Sequence, residues 1–137
     1  FSYVLSVYKK ELPDIAELEL IHGFHFEDYV DILLKDLSTG NRKKAFLITA
    51  FALKPRLLFL DEPVNGLDFE STEYLYRRIS GYKEYGTVLF SSHILESITL
   101  TSDRVFVLED GQIRQTFEGG QIDAAGIREA LRYENDV

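Results

Sequence analysis

Apolar positions recur at helical spacing through the first third of the chain and fall into short unbroken runs thereafter. Residues Ser2 to Lys10 read as a short helix ending near Leu12-Pro13. Pro13 and Asp14 suit the start of a second helix, in which Ile15, Leu18 and Ile21 share one face before Gly23 breaks it. From Phe26 to Leu34 the pattern predicts one or two amphipathic turns with Tyr29, Ile32 and Leu33 directed inward. The polar cluster Ser38-Thr39-Gly40-Asn41 then precedes a longer helical pattern over Arg42 to Leu53.

After Pro55 the period changes. Leu57 to Leu60 is a continuous apolar run, expected as a strand buried on both faces. Ser71 to Ile79 reads as a helix with Tyr74, Leu75 and Ile79 on one side, Thr87 to Phe90 as a second apolar strand, and Ile94 to Leu100 as a short helix. Arg104 to Leu108 and Gln112 to Phe117 flank Glu109-Asp110-Gly111, the signature of a hairpin with an Asp-Gly turn. A last helix is expected from about Asp123 to Tyr133. Strands alternating with helices imply parallel pairing and an α/β fold, with a helical part over 1–54 and a strand-containing part over 55–137.

Composition narrows the classes. A chain of 137 residues has one domain's length, and 45% hydrophobic residues are enough for a core. The net charge of −8 argues against a nucleic-acid surface, which rewards basic patches. The absence of cysteine excludes a disulfide framework and is compatible with a reducing cytoplasm. The longest nearly apolar run, Ala45 to Leu53, is interrupted by Thr49 and falls far short of the roughly 20 residues of a membrane span. Membrane association is therefore expected through a partner. The start shows no basic-then-apolar leader either. The opening Phe1 and the lack of any methionine are read as signs of a fragment with sequence upstream.

The candidate chemistry starts at Asp61-Glu62-Pro63, two adjacent acids at the end of the first strand, stopped by a proline. Ligands of open α/β sheets bind at that edge, where an aspartate can hold magnesium and a neighbouring glutamate can orient a water for attack on a phosphoryl group. Two solvated acids would look the same. Ser38-Thr39-Gly40 at a helix start offers outward backbone N–H groups to an anion, or serves simply as a cap. Asp68 stands where a helix cap is needed before Ser71, and His93 follows two serines after an apolar strand. His22 and His25 have no third ligand nearby and read as surface histidines.

Taken in order, four segments resemble the second half of an ABC-type ATPase, the nucleotide-binding domain of ATP-binding cassette transporters. Leu37-Ser38-Thr39-Gly40-Asn41 resembles the signature loop, with Thr39 for the commoner glycine and Asn41 for glutamine. Leu57 to Glu62 resembles Walker B with its catalytic glutamate, Asn65-Gly66-Leu67-Asp68 the D-loop, and Ser91-Ser92-His93 the switch histidine. The resemblance implies a partial P-loop NTPase fold: a helical subdomain with the signature loop, then parallel core strands with flanking helices and a terminal β-hairpin. It implies ATP and Mg2+ as cofactors. Asp61 would support the metal, Glu62 and His93 would act in catalysis, and Ser38, Thr39, Gly40 and Asp68 would contact nucleotide or the dimer partner. It further implies a second ATP-binding subunit, a transmembrane permease and a peripheral position on the cytoplasmic face. Lys43 and Lys44 after the loop look most like export-type members.

Two parts of the family's apparatus have no counterpart in the sequence, the phosphate loop and the glutamine loop that precedes the helical subdomain. No Gly-x4-Gly-Lys-Ser/Thr phosphate loop occurs; Gly81 and Gly86 have the spacing, but Thr87 follows in place of lysine, after a helix and before a strand. By itself the chain is expected to be inactive, with Leu57 to Leu60 and Val88 to Phe90 under-covered and prone to association. An ABC-type ATPase of translation or DNA repair, or a non-hydrolysing regulatory fragment, are the alternative readings.

Overall fold

In the computed structural model, which describes residues 14–132, helices give way to short strands along the chain. There are two units, Phe1–Ser91 and Ser92–Val137. The helix expected over Ser2 to Lys10 lies outside the described residues, as does Tyr133 at the end of the last helix.

Helix α1 spans Asp14–Gly23, but its inward side carries Leu20 and Ile21, while Leu18 is exposed. The reason lies just beyond Gly23. Phe24 and Phe26 are fully buried, with the Phe24 ring edge-on to Tyr74 at 4.9 Å, and burying two phenyl rings outweighs burying one leucine. The amphipathic turns expected from Phe26 to Leu34 are replaced by two 3-10 turns, Glu27–Tyr29 and Leu34–Asp36, and Ile32 and Leu33 face solvent. Such three-residue pieces cannot present a continuous apolar stripe, so burial falls to the flanking Phe26 and Leu37. The Arg42 guanidinium donates to the carbonyls of Leu34, Lys35 and Leu37 and fastens this stretch to the next helix.

Helix α2, Thr39–Leu53, starts three residues before the expected Arg42 because Ser38 caps it, its Oγ accepting the Asn41 N–H at 3.2 Å. Ala45, Leu47, Ile48, Phe51 and Ala52 form its buried side. It ends where Lys54 turns left-handed (φ 49°) ahead of Pro55. Strand β1 (Leu57–Leu60) pairs in parallel with β2 (Thr87–Phe90), Leu57 opposite Thr87 and Leu60 opposite Phe90. Helix α3 (Phe69–Tyr82) crosses between them, burying Ser71, Leu75, Tyr76, Ile79 and Tyr82. The Tyr82 hydroxyl donates to Pro55 O at 2.6 Å and pins the approach to β1.

Burial of β1 on both faces is not observed. Leu58 is buried, whereas Leu57 is 50% and Phe59 66% exposed, with Leu89 of β2 46% exposed. Among the described residues no third strand joins this sheet, so the pleat leaves one face bare, as expected for under-covered strands.

The second unit holds α4 (Leu95–Thr101), the antiparallel pair β3 (Arg104–Glu109) and β4 (Gln112–Glu118), and α5 (Ala124–Arg132). Asp110 (φ 47°) and Gly111 (φ 74°) are both left-handed, as a two-residue hairpin turn requires. Val105, Val107, Phe117 and Ile127 form its core, with Leu95, Ile98, Ile122 and Ala130 packed against them. Asp123 caps α5 by accepting the Gly126 N–H at 2.8 Å.

Candidate functional site at the end of the first strand

The chain leaves β1 through Asp61 and Glu62, and Glu62 takes a left-handed backbone conformation, φ 43°. That region is costly for a residue with a Cβ and persists only where surrounding contacts over-determine it. Ser91, at the end of the parallel partner strand, supplies two of those contacts. Its Oγ donates to Asp61 Oδ1 at 2.5 Å and accepts the Glu62 N–H at 2.9 Å. From the opposite side, Lys43 of α2 donates from Nζ to Glu62 O at 2.7 Å. Asn65 N–H reaches the same carbonyl at 3.2 Å, closing the turn through Pro63 and Val64.

The signature-like loop meets the D-loop-like segment through its backbone. A Cβ on Gly40 would lie 2.5 Å from Gly66 O, a contact only glycine permits. Gly66 itself sits at φ 80°. Asp68 caps α3, its Oδ1 accepting the Ser71 N–H at 2.9 Å. Its Oδ2 takes a 2.5 Å hydrogen bond from Nζ of Lys44, whose side chain is almost fully buried. Burial pushes the Asp68 carboxyl up, but the Lys44 ammonium and the Ser71 amide outweigh it and hold it well below the usual carboxylate range. Ser38 and Thr39 are exposed beside this junction.

Asp61, Glu62, Ser38, Thr39, Gly40 and Asp68 thus all belong to the first unit. His93 is exposed and belongs to the second. Its local frame is a serine pair: Ser92 Oγ accepts the Ile94 N–H at 3.0 Å and lies 2.7 Å from the buried Ser97 Oγ, which donates to Ile94 O.

The donor chemistry near Asp61 fits magnesium only in its usual guise of one carboxylate supplemented by water and substrate phosphates. Among the described residues no group of three His, Cys, Asp or Glu side chains could hold a metal by itself. His22 is 2.7 Å from Glu27 and His25 3.1 Å from Glu70, at the surface. An open groove of about 690 Å³ lined by Glu19, His25, Phe69, Glu70 and Tyr74 contains none of the predicted site residues.

Ser91, Lys43 and Lys44 were not among the expected site residues. Ser91 and Lys43 lie 30 and 19 positions from the residues they hold, so only their neighbourhoods, Ser91-Ser92-His93 and the basic run after the signature-like loop, could have pointed to them. Among the described residues no helix is long and apolar enough to cross a membrane.

Comparison with known proteins finds similarity in sequence and in fold. The family profile described as "AAA domain, putative AbiEii toxin, Type IV TA system" covers residues 4–99. The "Putative ABC transporter ATP-binding protein AlbC" of Bacillus subtilis is 38% identical over 121 residues, 88% of this chain and 51% of AlbC. The xylose import ATP-binding protein XylG of Escherichia coli is 34% identical over 110 residues, 78% of this chain and 21% of XylG. The chain therefore spans about half or less of the length of these relatives. A solved ATP-binding subunit of an ABC transporter superimposes with TM-score 0.70 at 25% identity, covering 90% of this chain and 52% of that one. A dimeric ATP-binding cassette, MJ0796, bound to ADP and Pi, superimposes with TM-score 0.68 at 19% identity over 81% of this chain and 50% of that one, a likeness of fold. With a partial P-loop NTPase fold, an acidic strand end and a signature-like helix joined in one unit, the chain belongs to the ABC transporter ATP-binding domains.

Proposed function

We propose that the protein containing this chain is the ATP-binding and ATP-hydrolysing subunit of an ABC transporter, of export type. It works as a head-to-tail dimer that drives a permease from the cytoplasmic face. The carrying observation is the pair Asp61-Glu62 at the carboxyl end of β1, held there by Ser91 and joined to the signature-like helix through Lys43.

In this reading Glu62 would accept a proton from the attacking water or orient it, and Asp61 would be the residue that holds magnesium. Bound with ATP, magnesium would supply neutralising charge to the phosphate oxygens. Ser38, Thr39 and Gly40 at the start of α2 present backbone N–H groups and the helix dipole to the γ-phosphate of ATP held by the partner subunit. His93 hydrogen-bonds the γ-phosphate, and Asp68 adds a contact across the dimer while capping α3. Catalysis is then mainly positioning and electrostatic stabilisation.

Glu62→Gln in the intact protein is expected to abolish turnover while retaining ATP binding, and wild-type hydrolysis by that variant overturns the reading. The 137-residue chain alone is expected to bind no MgATP by calorimetry at millimolar nucleotide. The export direction rests on the Ser38 to Lys44 segment. ATP-driven accumulation of substrate in inside-out vesicles supports it; ATP-driven loss from them assigns import.

A further inference from the structure

Glu62 is gripped by its main chain from both ends. Its N–H goes to Ser91 Oγ on β2 and its carbonyl takes the Lys43 ammonium from α2, so two elements other than β1 fix one peptide segment in a left-handed conformation. Both contacts are made to the Glu62 main chain. Ser91 also donates to Asp61, so one hydroxyl sets both acids at once.

We propose that Ser91 and Lys43 are positioning residues that clamp the Glu62 backbone and thereby aim its carboxylate at the attacking water. The proposal rests on the reading of Glu62 as the water-orienting group. Without the clamp, the backbone relaxes toward the favoured region of φ, and the carboxylate swings with it. A shift of about an ångström at a catalytic group costs on the order of 100-fold in rate, so a partial loosening is expected to cost about tenfold or more. Nucleotide affinity should change little on loss of Lys43, which is assigned no contact with ATP or with Asp61.

Lys43 has a second consequence. It sits on the helix whose first turn would serve the nucleotide bound mainly by the other subunit, yet its ammonium holds the peptide of the acid serving the near nucleotide. A displacement of α2 would therefore be transmitted to Glu62 through one hydrogen bond.

The test uses the intact ATPase that contains this chain, comparing wild type, Glu62→Gln, Ser91→Ala, Ser91→Thr, Lys43→Met and Lys43→Arg. Ser91→Ala and Lys43→Met should lower kcat about tenfold or more, with KM for ATP within about twofold in Lys43→Met, and Thr and Arg should restore most of the loss. Hydrogen exchange of a peptide covering residues 59–66 should accelerate in Ser91→Ala and stay near wild type in Ser91→Thr. If Ser91→Ala fails to fold, Lys43→Met carries the test alone, since its side chain is only half-buried. A dead Glu62→Gln beside wild-type kcat in Ser91→Ala and Lys43→Met overturns the clamp but spares the base. Active Glu62→Gln overturns both. Equal loss in the conservative and truncating variants assigns the two residues a merely structural role and also overturns the clamp.

Discussion

Lys44 Nζ donates to Asp68 Oδ2 at 2.5 Å, tying a nearly buried ammonium on α2 to the cap of α3. Asp68 therefore has two separable tasks, accepting the Ser71 N–H and neutralising Lys44. Asn at position 68 retains a capping oxygen but leaves the ammonium without its counter-charge. Asp68→Asn is expected to destabilise by about 1–2 kcal/mol, less than a fully buried pair because the aspartate is half exposed. Asp68→Ala, which also loses the cap, should cost about 1 kcal/mol more. Urea denaturation of the three proteins decides this, and equal stability of Asp68→Asn and wild type would remove the ion pair from the account.

The same pair carries a pH dependence of defined sign. The Asp68 carboxyl is held below its unfolded-state value, so its contribution is fully present above the ordinary aspartate range and is lost only as pH falls through the lowered value. The stability gap between wild type and Asp68→Asn should thus persist through mildly acidic pH and close only in strong acid. Thermal melts against pH read this directly; a gap that closes near pH 6 would contradict it.

Gly40 and Gly66 touch backbone to backbone. Gly40→Ala would drive a methyl group into Gly66 O and force the signature-like helix and the D-loop-like segment apart. Overpacking of this kind costs about 1–3 kcal/mol. Gly81→Ala, where an added Cβ meets nothing within 4 Å, is the control expected to be neutral or mildly stabilising in calorimetric melts.

The bare face of the two-stranded sheet makes a prediction about association. Leu57, Phe59 and Leu89 line it, and apolar strand surface of this kind invites pairing. The 137-residue chain expressed alone should self-associate in sedimentation velocity, and Phe59→Thr with Leu89→Thr should shift it toward monomer. A wild-type chain that stays monomeric at high concentration would show that this face tolerates water.

In the second unit, Ile127 is 1% exposed among Val105, Val107 and Phe117. Ile127→Ala should destabilise that unit by about 2–4 kcal/mol. Hydrogen exchange should report the loss in residues 104–118.

The acidic strand end was legible in sequence because Leu57 to Pro63 is a local signal: an apolar run, two acids and a stop. The Asp110-Gly111 hairpin was legible for the same reason, since its turn chemistry is carried by two adjacent residues. What holds the acids was not. Ser91 and Lys43 reach them across strand pairing and helix packing, which no local pattern encodes. Ile32 and Leu33 misled in the opposite sense: apolar character suggested burial, but the 3-10 turns gave the interior to Phe26 and Leu37. The first strand misled by half, because a continuous apolar run describes a sheet covered on two sides and this one has cover on one.

The left-handed backbone at Glu62 sets durability against turnover. Glycine at that position would keep both main-chain hydrogen bonds and remove the steric penalty, a change that elsewhere is worth about 1 kcal/mol. It would also delete the carboxylate. Stability and turnover therefore make opposite demands on this one position.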